Sequence, residues 1–224
     1  MPYFCEKSKC YKDGTHRLKG IRSLLADWYW PHTPKQKGGG CRFGQRIGRQ
    51  VDRELTTWVK EGGYLPKSVH PYTTKLVSFF QEMKWRPVAA QYVVGGVAFG
   101  SIGTALDLVM RNAENELLIL EIKCGFDGYW QEAKDDMKGL SKVANTPCHQ
   151  AMAQLLFGHL LLIRTQPLRP KHAYVVNVNK TGVRTYSAKE CEWGRELLKD
   201  LEQKVLARKS RVPAPPRIRR RYRR

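Results

Sequence analysis

Thr104-Ala105-Leu106-Asp107-Leu108-Val109-Met110, a polar break from Arg111 to Glu116, and then Leu117-Leu118-Ile119-Leu120-Glu121-Ile122-Lys123 decide how this chain is read. Each apolar run has the length of a strand, and Asn112-Ala113-Glu114-Asn115 between them suits a hairpin turn. Each run carries one carboxylate, and strand alternation turns Glu121 and Lys123 to one face. Leu117 to Leu120 is continuously apolar, as in a strand covered on both sides, so Glu121 and Lys123 emerge where unpaired charge is costly. An isolated Glu-x-Lys triplet is usually a solvated edge. A partner carboxylate on the neighbouring strand moves the reading to function.

Two carboxylates and a lysine in this arrangement suit metal-dependent phosphodiester chemistry. Hard oxygen donors fit Mg2+ or Mn2+, one or two ions, which activate a water and neutralise charge on phosphate. Asp107 and Glu121 are the candidate ligands, with the Ile122 carbonyl as a third, and Lys123 is placed to orient the nucleophile or stabilise the phosphate.

Outward from the hairpin, Arg86 to Val97 is valine-rich and ends at Gly95-Gly96, which predicts a preceding strand. Phe43 to Lys60 repeats apolar residues at Ile47, Val51, Leu55 and Trp58 or Val59, the period of a one-sided helix. Arg46, Arg49 and Arg53 fall on another face, either as phosphate contacts or as a solvated surface. Thr73 to Lys84 predicts a helix with a threonine cap, and Leu18 to Trp30 a short amphipathic one. Beyond the hairpin, Pro147 to Arg164 predicts a buried helix, Ala173 to Val178 and Val183 to Ser187 a strand pair, and Cys191 to Lys209 a last helix. The expected organisation is an N-terminal helical and loop extension over 1–40, one α/β domain over 41–209, and a disordered Arg-rich tail over 210–224.

The chain has 224 residues, is 42% hydrophobic, and carries 40 basic against 20 acidic residues, a formal charge of +20. Nine of the basic residues and no acidic ones fall in 208–224, so the rest retains +11, which points to a polyanionic partner. No apolar run approaches a bilayer span and the first residues lack a signal-peptide core, so a soluble, unsecreted protein with reduced thiols and no membrane partner is expected. Cys5, Cys10, His16 and Cys41 match no trusted zinc spacing. Trp28, Tyr29, Trp30, Tyr129 and Trp130 are candidates for stacking on unpaired bases, with core packing as the simpler role.

Asp107 followed by Leu120-Glu121-Ile122-Lys123-Cys124 resembles the core of the PD-(D/E)XK nucleases, in particular the lambda-type and herpesvirus alkaline exonucleases. The RecB-like group of that superfamily opens with a helix bearing G-x-x-x-H-x-x-L. Gly48-Arg49-Gln50-Val51-Asp52-Arg53-Glu54-Leu55 is similar, with Asp52 where the family has its metal-binding histidine. The family's Q-L-x-x-Y helix resembles Gln154-Leu155-Leu156-Phe157-Gly158-His159, with Gln154 as the supporting glutamine, Gln150 as fallback, and Gly158 in the tyrosine's place. Phe157 or His159 stands beside it, the histidine read first as a partly buried helix residue.

The resemblance spans 43–187. It implies an α/β restriction-endonuclease-like core, a short mixed sheet flanked by helices, with Asp52 as a possible further metal contact. Some RecB-like members hold an iron–sulfur cluster, but Cys191 is the sole candidate near the C-terminal end, so none is expected. The implied activity is a Mg2+- or Mn2+-dependent deoxyribonuclease, an exonuclease rather than an endonuclease, processing DNA ends in replication or recombination. Its partners are then DNA and replication or recombination proteins, and its location the nucleus, the host's if the chain is viral. The alternatives are a non-catalytic basic DNA-binding or packaging protein on the same fold, and an RNA nuclease.

Overall fold

The computed structural model describes residues 1–30, 39–125, 128–132, 135–140 and 142–209, with backbone alone at 39–43 and 128–129. The Arg-rich tail and the Pro31 to Gly38 breakers lie outside these residues. Residues 2–17 hold a three-stranded antiparallel sheet: β1 (Pro2–Cys5), β2 (Cys10–Asp13) and β3 (His16–Arg17). The sequence reading, a helical and loop extension, contains no strand here, because runs of two to four residues interrupted by lysines show no usable alternation. The one available signal was Asp13-Gly14, where Gly14 at φ 60° makes the tight β2–β3 turn.

β4 (Lys19–Gly20) leaves this small sheet and leads into α1 (Ile21–Trp28), whose Ile21, Leu24 and Leu25 are buried. α2 (Gly39–Lys60) starts inside the glycine run rather than after it, and α3 (Pro71–Glu82) starts two residues earlier than expected. The α3 cap is His70, not a threonine: its Nδ1 accepts the Tyr72 N–H at 3.1 Å, with Pro71 preorganised at the first helical position. Thr73 instead donates its hydroxyl to Glu54 of α2 at 2.5 Å, and Glu54 also accepts the His70 N–H, so one carboxylate ties the two helices.

The remaining elements follow the expected order: β5 (Arg86–Gly96), β6 (Ile102–Arg111), β7 (Leu117–Cys124), α4 (Pro147–Thr165), β8 (His172–Val178), β9 (Val183–Ser187) and α5 (Glu192–Lys209). They form a mixed sheet in the order β5-β6-β7-β8-β9, with β4 pairing parallel to the start of β6 on the edge away from β5. β5 to β7 are antiparallel, whereas β7 and β8 are parallel, the pairing that requires the crossover helix α4.

Helices cover both faces. Leu106, Val109, Ile119, Ala173 and Val175 pack with α1, α4 and α5, and Leu108, Met110, Leu118, Leu120 and Val176 pack with α2 and α3. α4 is buried nearly all round, as its leucine density predicts. Its approach to β6 depends on Gly158: a Cβ there would stand 2.7 Å from Leu106 Cδ2. Glycine at the position that resembles the family's tyrosine is therefore a packing requirement of this chain. No helix among the described residues is long and apolar enough to cross a membrane.

Candidate active site

β6 and β7 pair only from Leu108–Arg111 to Leu117–Leu120. Beyond that they part, β7 continuing along β8 to Cys124 and β6 running back along β5 to Ile102. Leu106 and Leu108 pack into opposite layers although they share a parity, so β6 rolls over between them, and Asp107 stands at the roll. Its carboxylate fills the gap that the missing ladder leaves: Oδ2 accepts the Ile122 N–H at 2.7 Å. The N–H and C=O of a residue in extended backbone leave by the same edge, so the Ile122 carbonyl faces this gap too.

Glu121 and Lys123 follow on β7, and Lys123 Nζ donates to Glu121 Oε1 at 2.5 Å with both side chains largely enclosed. Strand alternation thus delivers the pair to one place, as the spacing predicts. Asp52 reaches the same region from α2, where Val51 and Leu55 anchor the buried side of the helix.

Three carboxylates then share one ammonium. Burial, then the Glu121 charge, pushes Asp52 up to about 6, with Lys123 offsetting part of the rise. Burial, then Glu121 and Asp52, holds Asp107 well above the usual carboxylate range. Burial pulls the Lys123 ammonium down, but Glu121 and Asp107 outweigh it and keep its pKa above the ordinary lysine value. Cys124 is not a nucleophile, because burial and then the Asp52 and Asp107 charges push its thiol up to about 12.

Excess negative charge enclosed in a strongly basic chain is the kind of arrangement that a cation relieves. Among the described residues no three of His, Cys, Asp and Glu come together as a ready cage. The donors that fit a hard divalent ion are the Asp107 and Glu121 carboxylates and the Ile122 carbonyl, with open positions left for water and phosphate. Asp52 acts on this group through its charge.

The other expected residues divide. Gln154 lies on α4 one turn before Gly158, half-buried, and makes no side-chain hydrogen bond among the described residues, so nothing joins it to the carboxylates. Gln150, the fallback, donates to Asn145 Oδ1 at 2.8 Å. Arg46, Arg49 and Arg53 are all exposed along α2. Tyr29, Trp30 and Trp130 are buried in the core and Trp28 stacks on Phe157, so these four pack rather than wait for bases. His159 is buried too, its pKa drawn down to about 4 by burial and then by the Lys189 charge, a structural histidine. Cys5 and Cys10 are unlinked cross-strand neighbours, and the Cys41 side chain lies outside the described residues.

Three residues at the site carried no signal in the sequence. Gln91 sits opposite Asp107 on β5, its Nε2 3.3 Å from Asp107 Oδ1 and its backbone at φ 49°, a conformation rare for a side-chain-bearing residue. Tyr11 of β2 packs against Gly103, and burial followed by the nearby Asp107 and Glu121 charges pushes its phenol pKa up. Arg22, exposed on the first turn of α1, is close enough for its charge to act on Lys123. No local pattern links any of them to the hairpin.

No family model matches the chain, and no curated protein matches it. Among solved structures, the crystal structure of SSO0001 aligns over 90% of this chain and 80% of that chain, at 13% identity and a TM-score of 0.38, a likeness that carries no inference.

Proposed function

We propose that this chain is a divalent-cation-dependent deoxyribonuclease on a restriction-endonuclease-like core of the PD-(D/E)XK kind. The observation that carries the reading is the strand fork, where Asp107 holds the Ile122 N–H while Glu121 and Lys123 pair beside it. The order α2, β5 to β7, α4, β8 agrees with the core implied by the motif resemblance. The formal charge of +20 suits a polyanionic substrate.

When held by Asp107, Glu121 and the Ile122 carbonyl, a Mg2+ or Mn2+ ion supplies Lewis acidity toward an attacking water and the scissile phosphate. The chain's residues do the positioning. Asp107 keeps the β7 backbone in register with itself, so the Ile122 carbonyl and both carboxylates keep one geometry. Lys123 stays protonated beside Glu121 and is placed to neutralise a phosphate oxygen as charge grows on it. Gln91 steadies the outer Asp107 oxygen. Exposed Arg46, Arg49 and Arg53 provide sequence-independent phosphate contacts along α2.

The reading extends to an exonuclease that processes DNA ends in replication or recombination, alongside proteins of those pathways, in a nucleus to which the arginine tail would direct it. Incubating the protein with labelled linear and circular DNA and Mg2+, beside Glu121→Ala and Lys123→Ala, tests it. Cleavage of linear DNA that both substitutions abolish is expected. Metal-dependent cleavage untouched by both would overturn the site, and salt-sensitive binding without cleavage would favour a DNA-binding protein on the same fold.

A further inference from the structure

The N-terminal sheet does more than cover the domain. Between it and α1 lies an open cavity of about 480 Å³, lined among others by Lys9, Tyr11, Arg17, Lys19, Gly20 and Ser23. Residues 7–22 hold six basic side chains, Lys7, Lys9, Lys12, Arg17, Lys19 and Arg22, against the single carboxylate of Asp13. That carboxylate is turned to the segment just after β5, where it accepts the Val97 N–H at 3.2 Å, so it does not neutralise the cavity.

The cations are available. Arg17 has no carboxylate partner among the described residues. Lys9 pairs with Glu6 and Lys19 with Asp27, but both pairs are exposed and of the kind that contributes little and exchanges readily. The start of α1 opens on the same cavity: its cap is Gly20, which offers no side-chain bond, and its first turn holds no acidic residue. The first N–H groups of that helix add a favourable field for an anion to a cavity that is already cationic.

The cavity is also fixed in place relative to the carboxylates. Lys19 and Gly20 pair with Ile102 and Gly103 of β6, four residues before Asp107. At Gly103 a Cβ would lie 2.7 Å from Leu18 Cδ1 and 3.1 Å from Tyr11 Cβ, so the hairpin sits flush on that strand. Tyr11 lines the cavity, packs against Gly103 and feels the Asp107 and Glu121 charges, which makes it the wall between the basic side and the acidic one.

From this geometry we infer that the cavity between the N-terminal sheet and α1 is a phosphate-binding subsite, in which Arg17, Lys9 and Lys19 hold a phosphate of the DNA strand whose scissile bond lies at Asp107 and Glu121. The inference rests on the nuclease reading for the identity of the strand, whereas the anion site rests on the cavity itself. A terminal phosphomonoester and an internal phosphodiester present the same oxygens to these cations, and the two are separated by experiment.

The test is fluorescence anisotropy with a short labelled single strand in EDTA, so that binding is read without cleavage. The strand is used with a 5′-phosphate, with a 3′-phosphate and with hydroxyl ends, against wild type, Arg17→Ala, Arg17→Ala/Lys19→Ala and a charge-matched control, Lys67→Ala/Arg184→Ala, at exposed positions elsewhere. Arg17→Ala should raise Kd at least fivefold, and the slope of log K against log salt should fall by about 0.7 for each cation removed. The control should shift Kd less than twofold, and all variants should keep the wild-type Tm. A loss confined to phosphate-ended strands assigns the terminal group, and an equal loss on all strands assigns an internal one; both support the subsite. Cavity variants that bind like the control would overturn it. Cleavage of the same strands by wild type in Mg2+ separates the two readings: cavity-dependent binding with no cleavage would sink the nuclease and leave the subsite standing.

Discussion

The Asp107 carboxylate accepts the Ile122 N–H at 2.7 Å just where β6 and β7 cease to pair. One side chain therefore replaces a rung of the backbone ladder and, in doing so, brings a carboxylate, a backbone carbonyl and the Glu121–Lys123 pair to one gap in the sheet. Structure and chemistry meet in the same oxygen atoms, and substitutions can pull the two roles apart.

Asp107→Asn keeps an acceptor for Ile122 but removes a carboxyl whose pKa is held above its usual range by burial and then by Glu121 and Asp52. It should fold, with a Tm in EDTA at or above wild type, and lose cleavage by two orders of magnitude or more. Asp107→Ala also strands the Ile122 N–H and should be less stable than Asp107→Asn by about 1–3 kcal/mol. Urea melts in EDTA read the first effect and single-turnover cleavage the second. Equal activity in Asp107→Asn and wild type would remove Asp107 from the chemistry.

Divalent ions should stabilise the wild type, because binding to the folded state alone adds about 2.7 kcal/mol when free ion stands at 100 times Kd. Thermal melts with Mn2+ or Mg2+ against EDTA check this. Glu121→Gln and Asp107→Asn should lose the ion-induced rise. Asp52→Asn should keep most of it, since Asp52 comes from α2 rather than from the β6–β7 fork and acts on the carboxylates there through its charge. Loss of the rise in Asp52→Asn would make it a direct ligand.

Much of this arrangement could be read from residues 104–123, because two strand-length runs and a turn between them carry strong local signals. The α2 and α4 helices were legible for the same reason: Ile47, Val51 and Leu55 repeat on one face, and the leucines of α4 surround it. What was illegible depended on tertiary contact. The two- to four-residue strands of the N-terminal sheet are held by the body of the protein rather than by their own propensity. Thr73 scores as a cap by residue type, but Glu54 claims its hydroxyl and His70 takes the role. Gln91 reaches the site by strand pairing and Tyr11 by packing of the N-terminal sheet on Gly103, both from distant segments, which no local period encodes.

The β5–β6 hairpin that carries Asp107 depends on Gly95. At φ 118° it occupies a conformation that side chains resist, and a Cβ would meet the Ile102 carbonyl oxygen at 2.1 Å, a backbone atom that cannot step aside. Gly95→Ala should cost about 2–5 kcal/mol, combining backbone strain with overpacking. Gly14→Ala, at φ 60° with open space around it, should cost only the left-handed strain of about 1–2 kcal/mol. Chemical denaturation of the two variants side by side checks the ranking, and equal losses would show that the close approach to Ile102 does not matter.

His159 gives the fold an acid-side weakness separate from the carboxylates. It is buried on α4 and its Nδ1 finds no partner among the described residues, so protonation has no outlet there. Burial, with the Lys189 charge second, pulls its pKa down to about 4, while an unfolded histidine titrates near 6.5. Between those values the unfolded chain binds a proton that the folded chain refuses, so stability is complete above about 6.5 and falls as pH drops towards 4. The loss should be on the order of 3 kcal/mol across that window. His159→Gln cannot take up the proton, and the difference in unfolding free energy between wild type and this variant, followed by urea melts from pH 7.5 to 4, should move against the wild type by that amount. A difference that stays flat across the window would place the titration elsewhere and leave His159 as packing alone.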